Sequence, residues 1–124
     1  MNQLANVSKY LFALIIGMFG TQHYIYAVFV ATIVPQWIPF HLFWTYFTGA
    51  AMIAVAVSIF INKKVKLACC LLGIMIWIFI FTVHSHILIE SHFAAGNITN
   101  AGKDICIASC AFIISASEKQ SKTQ

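Results

Sequence analysis

His84, His86, Glu90 and His92 fall within the stretch HSHILIESH at the end of a long apolar run, the densest group of potential ligands in the chain. Imidazole nitrogen and carboxylate oxygen together suit zinc or iron, and His86 and Glu90, four residues apart, share one face of a helix. A usable metal site also requires convergence and a supporting set of hydrogen bonds, which spacing does not supply. The competing reading needs no ligand, because polar residues also gather where a membrane helix reaches the headgroups.

His23 raises a different question. It lies inside an apolar run, with Gln22 beside it and Tyr24 just after. A polar side chain placed in hydrocarbon is costly and marks a functional position by default. Gln22, His23 and Tyr24, with Trp37, His41 and Trp44, define a candidate polar and aromatic ligand pocket. The alternative is a neutral imidazole bonded to a neighbouring helix for structural reasons. A haem held between His23 and His84 would need two imidazoles at similar depth in a helical bundle, and nothing else in the sequence speaks for it. On this reading His23 matters more than the denser cluster, and replacing His84, His86 and His92 together by asparagine leaves the fold intact.

The elements that must position these residues follow from composition. Of 124 residues, 61% are hydrophobic and 8% charged, and the mean hydropathy is +0.90. That leaves too little polar surface to cover a water-soluble globule. A span needs about 20 apolar residues, so the pattern predicts an all-α fold, a transmembrane four-helix bundle forming one domain over residues 1–124. The expected spans are about 10–30, 42–61, 67–88 and 100–118. No A-x-A-like cleavage site follows the first run, which is therefore expected to be a retained span. The prolines of VPQWIP interrupt the first connection, and NKKVK is a tight basic turn before the third span.

In the fourth span, ICIASCAFIISA is short, and a helix beginning near Asn100 would put Lys103 and Asp104 in its first turn, at the interface. Ala108, Ala111 and Ser115 give that helix a narrow packing face. Ala13, Gly17 and Thr21 in the first span, and Ala50, Ala54 and Ser58 in the second, recur every four residues as small-residue stripes that let another helix approach closely.

The charge of +4 comes from lysines scattered between spans, so a nucleic-acid footprint is excluded. With four spans, Lys9, Lys63, Lys64, Lys66, Lys119 and Lys122 lie on one side and Lys103 on the other. The positive-inside rule then places the N- and C-termini in the cytoplasm and all five histidines in the outer leaflet. Cys69 and Cys70 are adjacent and Cys106 and Cys110 are four apart, spacings that disfavour dithiol exchange. There is no Walker loop, no G-x-G-x-x-G and no plausible serine or cysteine triad, which argues against a stand-alone hydrolase or nucleotide enzyme. Asn97–Thr99 is an N-I-T sequon, expected on an outer loop.

From Gly20 to Ile61 the chain resembles the DoxX-like family of small four-span membrane proteins. The resemblance is carried by Gly20, His23 and Tyr24 as G-x-x-H-aromatic, by Val34, Pro35, Ile38 and Pro39 as V-P-x-x-[LI]-P, and by Tyr46, Thr48 and Gly49 as aromatic-x-[ST]-G. KDICIASCAFIISA also looks like that family's charged entry to a last helix of small residues. Where many relatives carry a glutamate three residues after the glycine, this chain has Met52, so the resemblance does not extend to an intramembrane carboxylate there.

The resemblance implies an accessory membrane subunit of a quinone-linked or other redox system without catalysis of its own, in the bacterial inner membrane. Quinone is the cofactor it implies. Two alternatives stay open from the residues themselves: a small-ligand binding or carrier protein using the outer-leaflet pocket, and a structural partner in a larger complex. The expected partners are the lipid bilayer and either another membrane protein or further copies of this chain.

Overall fold

In the computed structural model, which describes residues 2–118, all regular secondary structure is helical, and among those residues there is no strand. The elements are α1 (Gln3–Ile25), α2 (Ala27–Ile33), α3 (His41–Phe60), α4 (Val65–Phe79), a π-helical turn (Ile80–His84), α5 (Ser85–Glu90) and α6 (Ala95–Ser117). Four stretches are long and apolar enough to cross a membrane: Gln3–Ile25, His41–Phe60, Val65–Glu90 and Ala95–Ser117. Large apolar side chains such as Val28, Phe29 and Phe81 cover the outside of the bundle. Such a surface belongs in lipid, and the chain is an integral membrane protein.

Local chemistry sets the boundaries. Asn2 caps α1, its side-chain oxygen accepting the Ala5 N–H at 2.9 Å, so the first helix begins before the expected Tyr10. The break at Tyr26 divides the expected first span between α1 and α2. Val34 is extended, as the residue before a proline must tend to be. At the end of α3, Asn62 adopts a left-handed conformation (φ 55°). The Lys63 N–H returns to Ser58 O at 3.0 Å and the Asn62 N–H to Ile59 O at 3.1 Å, a Schellman closure.

α1 packs on α3 and α4 on α6, and the two pairs share one core that includes Ile16, Ile59, Cys69, Leu72, Ile76 and Ala108. The first pair closes at Gly20 and Gly49. A Cβ on Gly20 would lie 2.8 Å from the Gly49 carbonyl oxygen, and one on Gly49 would lie 2.9 Å from Gly20 O, so only glycine permits this approach. In the second pair, Gly73 receives the ring of Phe112. At the lysine-rich end, Lys9 Nζ donates to Glu118 Oε1 at 2.8 Å and joins α1 to the end of α6, while Ser115 Oγ donates to Lys66 O at 2.8 Å.

The small-residue stripes do not coincide with the packing faces. Ala13 is buried, Gly17 is half-buried, and Thr21 is exposed. Ala50 and Ala54 face outward, and Ser58 is half-buried with its hydroxyl donated to Lys63 O. A strict four-residue repeat drifts by about 40° per step around a helix, whereas Ala13, Ile16 and Gly20 alternate three and four and stay on the buried face. Ala108, Ala111 and Ser115, spaced three and four, are all buried.

The fourth helix begins at Ala95 rather than near Asn100, which moves two sequence readings. Asn97–Thr99 is helical, not a loop, and Lys103 and Asp104 lie beyond the first turn. Lys119 and Lys122, two of the six lysines in the topology argument, lie outside the described residues.

Candidate functional site

α1 ends, α3 begins and α5 meets α6 at one end of the bundle, which collects the histidines. His84 owes its direction to the π-helical turn. In an unbroken α-helix the eight residues from Ile76 to His84 would place the two about 80° apart; absorbing one extra residue brings His84 to within about 20° of the buried Ile76 face. The widened turn is braced by hydroxyls: Thr82 donates to Ile78 O at 2.7 Å and Ser85 to Phe81 O. Trp77 stacks on Phe81, with centroids 5.6 Å apart.

So directed, His84 Nε2 meets Asp104 Oδ2 at 2.6 Å, with side-chain exposures of 17% and 20%. A carboxylate can only accept, so Nε2 carries the proton and, in the neutral ring, Nδ1 is left as the acceptor. Asp104 is nine residues into α6, about 14 Å along its axis, and therefore well inside a bilayer-length helix. Lys103 Nζ lies 3.7 Å from Asp104 Oδ1 and 5.2 Å from the centroid of Phe19 on α1. The cluster therefore joins an imidazole, a carboxylate and an ammonium group drawn from two helices, with an aromatic ring from a third beside the ammonium. An acid, a base and a cation held together in a low-dielectric surround can exchange a proton or orient the polar head of a lipophilic molecule.

The candidate metal ligands separate. His84 turns to Asp104, while His86 pairs with Glu90 at 3.1 Å on an exposed face. His92 terminates α5 in a left-handed conformation (φ 51°), with the Phe93 N–H bonded to Leu88 O at 2.9 Å. Among the described residues, no three histidine, cysteine, aspartate or glutamate side chains converge as a metal would require. The three histidines sit in different surroundings: His84 is half-buried against Asp104, His86 is exposed beside Glu90, and His92 closes a helix.

The six pocket candidates also disperse. His23 Nδ1 donates to Phe19 O of its own helix at 2.7 Å, and its Cβ lies against Gly49. Tyr24 stacks on Tyr46 at 5.3 Å and donates its hydroxyl to Tyr46 O. Trp44 packs on Phe43 and Phe47, His41 O accepts the Thr45 hydroxyl, and Trp37 is exposed. Gln22 points instead into an apolar groove of about 480 Å³ on the outside of α1 and α3, floored by Ala13, Gly17 and Ala56. Among the described residues, no hydrogen bond or ring contact joins any two of the six. A haem bridging His23 and His84 fits no better, because one imidazole is tied to its own helix and the other to α6.

Residues 12–108 match the model of a family described as a domain of unknown function (DUF8561). The chain belongs to that family. The matched stretch takes in His84, Asp104 and the Gly20–Gly49 crossing, but neither Lys9 nor Glu118. No curated protein and no solved structure matches the chain.

Asp104, Lys103 and Phe19 are the site residues that sequence reasoning missed. An acid inside an apolar span is itself a signal, and Asp104 was hidden only by starting its helix at Asn100.

Proposed function

We propose that this protein is a non-catalytic membrane subunit that docks against another membrane protein, in the manner of the DoxX-like proteins it resembles, within a quinone-linked or other redox system of the bacterial inner membrane. The observation that carries the docking is the outer face of α1 and α3. There the groove floored by Ala13, Gly17 and Ala56 runs beside outward-facing Thr21. Half-buried Gly17 and exposed Thr21, with no large side chain above the buried Ala13 and Ala56, leave room for a partner helix to come close, whereas lipid alone places no demand for such a groove. The redox assignment rests on the G-x-x-H-aromatic and V-P-x-x-I-P motifs.

Isolation of the full chain from its native membrane in mild detergent tests the docking. Thr21→Phe and Leu14→Trp fill the groove from exposed positions, so each should leave the bundle monodisperse while reducing the co-purifying chain at least about tenfold, the effect of losing about 1.4 kcal/mol. Retention of the partner by both variants would remove this face from the interface. A co-purifying chain identical to the bait would make the protein a homo-oligomer.

The His84–Asp104 pair favours a second reading, a binding protein for a small lipophilic ligand with a polar head. Mass spectrometry of the same preparation distinguishes the two, because a stoichiometric small molecule without a second chain supports the binding protein.

A further inference from the structure

The lysine-rich end of the bundle carries an interaction surface of its own. Lys63, Lys64 and Lys66 are exposed and lie within four residues at the turn from α3 to α4. The turn is held from both sides: the Ser58 hydroxyl of α3 donates to Lys63 O, and the Ser115 hydroxyl of α6 donates to Lys66 O at 2.8 Å. Glu118, the described acid at this end, is engaged by Lys9 at 2.8 Å, and residues 119–124 contain no aspartate or glutamate. The three ammonium groups therefore have no acidic side chain of this chain to pair with among the described residues.

The surroundings select the occupant. Phe60, Ile61 and Leu67, each more than half exposed, flank the lysines where α3 and α4 enter the bilayer. A soluble anion would use the charges and leave these side chains idle. A phospholipid uses both, its phosphate against the lysines and its acyl chains along the apolar rim. We propose that the Lys63–Lys66 turn is a binding site for anionic phospholipid headgroups in the adjacent leaflet. The two hydroxyl bonds fix the backbone of the turn, and the clustered lysine charges select for net headgroup charge.

The test uses the full chain in mixed micelles containing equal amounts of phosphatidylglycerol and phosphatidylcholine, with bound lipids counted by native mass spectrometry. Wild-type protein should retain phosphatidylglycerol preferentially. The K63Q/K64Q/K66Q variant should lose that preference by about tenfold or more, and K63R/K64R/K66R should keep it. Equal retention by the glutamine variant and the wild type would overturn the proposal, as would a loss in the arginine variant matching that in the glutamine variant. Inorganic phosphate at an ionic strength matched with chloride separates the sources of the anion. If phosphate displaces the lipid much more effectively than chloride does, the turn is a free-phosphate site and the lipid assignment fails.

Discussion

Asp104 is a carboxylate well inside an apolar helix, and what makes it tolerable is the hydrogen bond from His84 and the nearby ammonium of Lys103. Removing one member of such a pair strands the other without a partner, whereas removing both relieves the desolvation cost. Asp104→Leu should therefore destabilise the bundle by about 1–3 kcal/mol, and His84→Leu by a similar amount. In the double variant the losses should be less than additive, with a coupling of about 0.5–3 kcal/mol. Thermal unfolding of the four proteins in one detergent gives the cycle; strict additivity would mean that the contact carries no energy. His86 and Glu90 share the pair's chemistry but remain exposed, so their coupling should be near that of a surface pair. The sequence displayed the histidines but not this difference, because which imidazole faces the core depends on helix geometry that spacing alone leaves open.

The π-helical turn is the element that makes the difference. The length of the unbroken apolar run supported one span from about Leu67 to Leu88, and that span is present as part of Val65–Glu90. The turn itself was hidden, because a single absorbed residue leaves hydropathy unchanged while rotating everything beyond it. Helix geometry also explains why the small-residue stripes, which repeat every four residues, run off the buried faces, which alternate three and four. The caps at Asn2 and Asn62 were not read either, although asparagine is a residue type suited to both positions. Deletion of Phe81, which is 71% exposed, should convert the π turn to ordinary α-helix and keep His84 on the face of Ile76 and Leu72. The expected result is a folded protein in which the coupling between His84 and Asp104 survives, measured by the same cycle in the deletion background. Loss of that coupling in a protein that still folds would show that the pair requires the wide turn itself, beyond the register it provides.

At the scale of the whole molecule, the four-span, all-helical architecture follows from composition and the length of the apolar runs, and this was the part of the fold most directly readable. How the helices associate was less so, because the contacts that join the pairs depend on tertiary structure: the Gly20–Gly49 crossing, Phe112 on Gly73, and Lys9 reaching Glu118. Lys9, in particular, reads in the sequence as a flanking topology signal but is 6% exposed in the bundle. Its burial leaves the exposed lysines of the α3–α4 turn as the described cations that orient the molecule, with Lys103 toward the other end. The positive-inside rule then predicts that the turn faces the cytoplasm and that the start of α6 faces outward. In a background with the four native cysteines replaced by alanine, Asn97→Cys should react with a membrane-impermeant maleimide on intact cells, and Lys63→Cys only after permeabilisation. The two sites flank Val65–Glu90, a stretch long and apolar enough to cross the bilayer once, so their labelling must differ if that stretch spans it. Reaction of both from outside would remove the crossing, whereas a reversed pattern would keep the bundle and invert its orientation.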